Sequence, residues 1–263
     1  MEHTKKSAFT LVELLTVLAI TLILASLFLP SLAHARERAQ RARCVSNQRQ
    51  LMLAWMMYSD DTGKIASNGY IQGGGEEATP MWVQGYYNHN VTIFDSTNST
   101  LLLDARFAQF SGYIRDVKIY KCPSDRKVFT HVRRGIQFTK LRSYSMNGNM
   151  GWVDFGPWQP KGQIFYQDSS ILSPSETLAF LDVHPESICW PFFGVESYDA
   201  FFMVPALHHN GAAMLSYADG HVAARRWTDP RTTQSPEEMA WHDHHYMSPG
   251  NKDLKWLRNL SSQ

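Results

Sequence analysis

His208, His209, Asp219 and His221 lie close together in the chain, and His242, Asp243, His244 and His245 form a second group further on. Imidazole and carboxylate donors suit a zinc-type ion, which makes His209, Asp219 and His221 the candidate metal ligands. The spacing of a readable metal site is missing. No HExxH pair occurs, and the three cysteines, Cys44, Cys122 and Cys189, form no CxxC pair. The expectation is therefore no metal and no cofactor, with His209 bonding backbone and Asp219 serving a turn. No Gly-rich phosphate loop and no nucleophile elbow is present either. No catalytic residue is assigned, and the chain is not expected to be an enzyme.

The element that must position His209 and Asp219 is a β-hairpin over about 209–227. Asp219-Gly220 stands between two apolar runs, and a tight turn needs the positive φ that Gly supplies freely. With these two as the turn, Tyr217 faces Val222 and Leu215 faces Ala224, giving one apolar face. Val117–Tyr120 and Thr177–Leu181 read as strands, and Leu101–Tyr113 as a helix. Ser235-Pro236-Glu237-Glu238 looks like the capped start of a short C-terminal helix. The segment from Gly63 to Thr100 is loop-like, with aromatic residues at Trp82 and Tyr86-Tyr87.

Composition bounds the whole. The 263 residues are 44% hydrophobic, 19% charged and 13% aromatic, with a net charge of +1. A mean hydropathy of -0.31 excludes a polytopic membrane protein, and the aromatic content excludes a disordered chain. The near-neutral charge gives no bulk attraction to nucleic acid. The average hides two unlike parts. The first 58 residues carry seven Lys/Arg and three Asp/Glu, and the remainder 18 and 21.

Phe9–Leu29 is an apolar run of 21 residues with eight Leu and one ionisable side chain, Glu13. At about 1.5 Å per residue it matches the roughly 30 Å hydrocarbon core of a bilayer, which predicts a transmembrane helix. It is too long for a secretory signal, and no clean cleavage site follows it. Beyond Pro30, a helix-bending residue, the sequence has strong helix formers as far as Tyr58. Ala35, Ala39, Ala42, Val45, Met52 and Met56 form a stripe interrupted by Arg49, and Asp60, Asp61 and Gly63 end the helix.

Lys5-Lys6-Ser7-Ala8-Phe9-Thr10-Leu11-Val12-Glu13-Leu14-Leu15 closely resembles the N-terminal signature of type IV prepilins and type II secretion pseudopilins. The resemblance implies cleavage between Ala8 and Phe9 by a prepilin peptidase and N-methylation of Phe9. Ala8 departs from the Gly that most members have there. Glu13 takes the family's acidic position, paired in assembly with a positive N-terminal amine, and Pro30 its helix-bending position. An acidic side chain in an apolar span needs such a partner, since burying it at a helix centre costs about 2.5–3.5 kcal/mol. His209, nine residues, then Asp219-Gly220 resembles the H-X9-DG segment of a class of bacterial prepilin-like proteins. Cys44-Val45-Ser46-Asn47-Gln48-Arg49-Gln50-Leu51, Cys122-Pro123-Ser124-Asp125 and Ser143-Tyr144-Ser145-Met146-Asn147 are also family-like.

The implied fold is α+β and pilin-like, with a leader at 1–8, a transmembrane helix at 9–29, an amphipathic spine at 30–59 and a β-rich head at 60–263. The implied partners are prepilin peptidase, other pilin-like subunits through the N-terminal helix, and the lipid bilayer. The implied location is the bacterial inner membrane, with the leader cytoplasmic and the head periplasmic or extracellular. Arg36, Arg38, Arg41, Arg43 and Arg49 outnumber Lys5 and Lys6, so the positive-inside rule points the other way; the cleavage signature overrides it. In an oxidising compartment, Cys44 and Cys122 of the family-like segments are expected to pair as a disulfide. The expected function is a structural subunit of a type II secretion pseudopilus or type IV pilus. The alternative is a membrane-tethered protein that binds glycans or other envelope polymers through exposed Trp82, Trp152 and Trp158.

Overall fold

The computed structural model describes residues 10–70, 79–87, 93–153, 159–194, 199–233 and 246–261, with backbone alone at positions 27, 30 and 33. The capped segment expected at Ser235 lies outside these residues, as do His242 to His245. The architecture is α+β: a long N-terminal helix, then a β-rich region. The chain divides into two compact units, Met1–Gln40 and Arg41–Gln263.

Helix α1 spans Leu11–Thr62, and its helical backbone continues through position 30. In the first unit the described large apolar side chains from Leu11 to Leu32 are exposed, Leu11 by 75% and Phe28 by 68%. They point in every direction around the helix, the pattern of a segment that needs an apolar surrounding rather than one packed face. Among the described residues no helix is long and apolar enough to cross a membrane. The run read from the sequence includes Phe9, which lies outside the described residues.

In the second unit the helix turns one-sided. Cys44, Gln48, Leu51, Met52, Trp55 and Ser59 are buried, at the three- and four-residue steps that keep a helix on one face. The sequence stripe was rotated from this: Ala35, Ala39 and Ala42 are exposed, and Val45 and Met56 are half-buried. Cys44 and Gln48 are the residues that count, and Gln48 lacks the apolar identity a hydropathy pattern seeks. The second unit thus takes in the helix from Arg41 onward. The helix closes at Gly63, whose φ of 66° permits its N–H to bond Ser59 O at 2.8 Å.

The central sheet contains β1 (Tyr144–Asn147), β2 (Leu178–Asp182), β3 (Phe192–Phe193), β4 (Ala212–Tyr217) and β5 (Val222–Arg226). Their spatial order is β5-β4-β2-β1-β3, antiparallel except for β1 with β3. Both faces are covered. Met214 and Phe180 pack with Leu51, Met52 and Trp55 of α1, together with Trp82, Phe110 and Tyr120. Leu181, Ala213 and Leu215 face Phe201, Val204 and Trp227, and Leu254 and Leu257 of helix α2 (Lys252–Ser261). A sheet buried on both sides explains why β2 and β4 read as apolar runs without alternation.

Two expected elements differ. Val117–Tyr120 is a 3-10 turn rather than a strand, because Asp116 accepts the N–H of Lys118 and caps it. Leu101–Tyr113 is no continuous helix: a helical turn at Thr100–Leu103 stops where Asp104 is extended, and a 3-10 turn follows at Gln109–Gly112.

Gly151 joins the segments beside this core. Its φ is 61°, its carbonyl accepts from Asn68 N–H at 2.8 Å, and a Cβ there would collide with the Ala66 carbonyl oxygen. Gly151→Ala is expected to destabilise the head by about 2–4 kcal/mol, measured by chemical denaturation followed through tryptophan fluorescence. An unchanged midpoint would show that the Asn68–Gly69 crossing can shift without cost.

Candidate functional site

The described residues bring together a set of four, three of which the sequence offered only as scattered members. Cys44 of α1, Cys122 ahead of Pro123, Asp182 at the end of β2 and His209 before β4 are all buried, and one donor atom of each lies within 4.8 Å of the others. Cys122 Sγ is 3.4 Å from His209 Nε2, and Asp182 Oδ2 is 4.0 Å from both Cys44 Sγ and His209 Nε2. Tyr144 Oη sits 3.2 Å from Cys44 Sγ. Burial pushes the Asp182 carboxyl well above its ordinary range and brings the His209 imidazole down to about 4. Both shifts favour the neutral forms of the two groups. The neighbouring Cys44 sulfur, with burial next, pushes the Cys122 thiol up, while the N–H groups of Ser124 and Asp125 pull it down.

All three cysteines are free thiols, so the expected Cys44–Cys122 disulfide is not formed, although the two sulfurs are neighbours. Asp182 was missed. Its one signal was a carboxylate closing the run Leu178-Ala179-Phe180-Leu181, where an edge or turn position would have been the ordinary assumption.

The other candidate ligands are elsewhere. Asp219 and His221 pair with each other at 2.6 Å on the exposed turn after β4, and the His221 ring stacks on Tyr217 at 4.1 Å. His209 and Asp219 bracket β4, one before its first residue and one after its last. The H-X9-DG spacing is the length of that strand with its two connections. The turn itself corrects the expected register. Val222 pairs with Ser216 and Ala223 with Leu215, one residue away from a two-residue turn. Ala218-Asp219-Gly220 is a three-residue loop with Gly220 at φ 90°, and a one-residue slip moves each side chain to the opposite face.

The aromatic surface is also corrected. Trp82 and Trp152 are core residues, exposed by 0% and 3%, and Trp82 stacks edge-on against Phe180 at 5.2 Å. Trp158 lies outside the described residues. The aromatics assigned to glycan binding are thus unavailable at the two described positions.

At the N-terminus Ala8 and Phe9 also lie outside the described residues. Thr10 and Glu13 are described, and they form a reciprocal cap. Thr10 N–H and Thr10 Oγ1–H donate to Glu13 Oε2 at 2.8 and 2.7 Å, and Glu13 N–H donates to Thr10 Oγ1 at 3.2 Å. Glu13 therefore has a local partner as soon as the helix starts. A family model described as the prokaryotic N-terminal methylation motif matches residues 3–29. At its N-terminus the chain is type IV prepilin-like. Nothing among curated proteins or solved structures matches it.

The head also buries two cations. Arg142 donates to Tyr144 O at 2.9 Å and Trp190 O at 2.8 Å and lies over the Tyr87 ring. Lys140 donates to Pro185 O at 2.7 Å and Ile188 O at 3.0 Å, over the Phe129 ring. Burial brings Lys140 down to about 7, against the pull of Cys189, Glu186 and Asp125. Unfolded lysine titrates near about 10.4, so between these values the unfolded chain binds the extra proton and stability rises with pH. Relative to Lys140→Met, the wild type is expected to gain on the order of a few kcal/mol from about pH 7 to about pH 10, measured by denaturation at both pH values. A constant difference would mean that Lys140 stays charged in the folded head.

Proposed function

We propose that the chain is a structural, pilin-like subunit rather than an enzyme, cut between Ala8 and Phe9 by a prepilin peptidase and methylated on Phe9. The observation that carries this reading is the methylation motif at residues 3–29, followed by helix side chains exposed on all faces. Burying a Leu, Val, Ile or Phe side chain fully is worth about 1.5–3 kcal/mol, so the thirteen exposed from Leu11 to Leu32 are an unstable arrangement in water. A bilayer core, or the packed helices of like subunits, supplies the missing surroundings. The run Phe9–Leu29 spans the inner membrane with the leader in the cytoplasm, and the head is displayed on the other side, in an assembly of the type II secretion or type IV pilus kind.

Glu13 has two tasks in this reading. Its bonds to Thr10 start the helix, and its charge meets the methylated amine of a neighbouring subunit. A pair in an apolar layer is stronger than one in water, and leaving either partner alone there is costly. No observed feature favours polymer binding by the head once Trp82 and Trp152 are placed in the core.

Mass spectrometry of the mature chain is expected to find methyl-Phe9 as the first residue. A mature terminus after position 29, or an uncut Met1, would remove the central claim. Glu13→Gln retains an oxygen for the Thr10 cap but no charge. It is expected to be cleaved normally and to fall by roughly tenfold or more in sheared filaments or subunit cross-links. Wild-type recovery would leave Glu13 with its capping role alone.

A further inference from the structure

Four side chains that pilin-like assembly does not use converge in the interior of the head. They come from four separate places: Cys44 from α1, Cys122 from the loop ahead of Pro123, Asp182 from β2 and His209 from the connection into β4. Their donor atoms all lie within 4.8 Å of one another, and the shorter separations are 3.4 and 4.0 Å. Bonds of about 2.0–2.3 Å to a tetrahedral ion place its donors roughly 3.3–3.8 Å apart. The observed set need draw in by about 1 Å at most to meet that geometry.

A second observation points to a ligand. Asp182 Oδ1 and His209 Nδ1 are buried with no hydrogen-bond partner among the described residues. A wholly buried carboxylate beside an imidazole and two thiols is an expensive arrangement for packing alone. A Cys44–Cys122 disulfide would use the two sulfurs and leave the convergence of Asp182 and His209 without a cause. A divalent cation gives all four side chains a common partner, through the two sulfurs, Asp182 Oδ2 and His209 Nε2.

We propose that Cys44, Cys122, Asp182 and His209 form a structural site for one zinc-type divalent ion that fastens α1 to the head. The ligands are the two sulfurs, Asp182 Oδ2 and His209 Nε2, and the thiol protons leave to solvent as the ion binds. Groups around the site suit it. Tyr144 Oη lies 3.2 Å from the Cys44 sulfur, where its O–H can donate to a thiolate, and the N–H groups of Ser124 and Asp125 favour the charged form of Cys122. Such outer contacts orient thiolates and stabilise their charge. Four buried protein ligands leave no position for water, the form of a structural rather than a catalytic site. A cavity of about 420 Å³ beside Asn47, Lys118 and Pro123 borders Cys122 and gives the ion a route inward. The site is independent of processing at Phe9, so either claim can fail alone.

The test uses the full chain purified in detergent, loaded with Zn(II) and dialysed, with metal measured by inductively coupled plasma mass spectrometry. About one zinc per chain is expected. Cobalt loading is expected to give the visible bands of a tetrahedral ion and sulfur-to-metal charge transfer, a signature that needs no variant to fold. His209→Ala and Cys122→Ser are expected to lower retained metal by roughly tenfold or more, whereas Cys189→Ser, outside the cluster, leaves it unchanged. Peptide mapping without reductant is expected to find Cys44 and Cys122 unlinked. The proposal is overturned by a chain that retains no stoichiometric zinc, by cobalt without thiolate bands, or by a Cys44–Cys122 disulfide in the mature protein.

Discussion

Gln48 reaches from α1 to the backbone carbonyl of Met214, in the middle of β4, at 2.9 Å and wholly out of water. A polar side chain can enter such a place only if its partner is met in one geometry, because an unmet donor there costs roughly 1–3 kcal/mol. The bond therefore sets both rotation and height of the helix on the sheet. Asn47, next to it, donates to Lys118 O and Lys121 O at 3.0 and 2.9 Å, and so holds the segment that carries Cys122. Leu51 and Trp55, one and two turns on, fill the apolar space that this docking leaves. Cys44, one turn earlier, is brought against Tyr144. The polar residues Asn47 and Gln48 of the helix are thus docking contacts, and the hydrophobic ones follow.

The same logic accounts for the family-like segments in the head. Asp125 accepts from Ser143 Oγ at 2.7 Å and pairs with Lys121 at 3.4 Å, which ties the Cys122 loop to the start of β1. Asn147, at the other end of β1, donates to Leu178 O in β2 and to Ser261 O in α2. Each short motif is a junction between elements distant in sequence. These motif residues are the fasteners of a sheet buried on both faces.

Much was legible from one dimension. The apolar run, the helix to about Gly63, the strand at Leu178–Asp182 and the hairpin of β4 and β5 all follow from local patterns. The failures have local causes. Asp116 converts a β-like run at Val117–Tyr120 into a 3-10 turn with one cap. Gly220 supports a three-residue loop as readily as a two-residue one, so the letters Asp-Gly leave the register open by one. Trp82 and Trp152 looked like a binding surface because composition does not say which side of an aromatic is covered.

What the sequence determined alone is the N-terminal part: a methylation motif at residues 3–29 that sets an acidic residue and an apolar run in a fixed order. Its chemistry depends on neighbours three and four residues apart, as the Thr10–Glu13 cap shows, and local spacing is what a sequence displays. Only the tertiary structure decided the meeting of Cys44, Cys122, Asp182 and His209. Each comes from a different element, and none is within helical or strand spacing of another. Their approach depends on the helix being docked by Gln48, on β2 lying beside β4, and on His209 ending the connection that enters it. No pattern along the chain encodes those three conditions together, because they are set by how side chains fill a common interior.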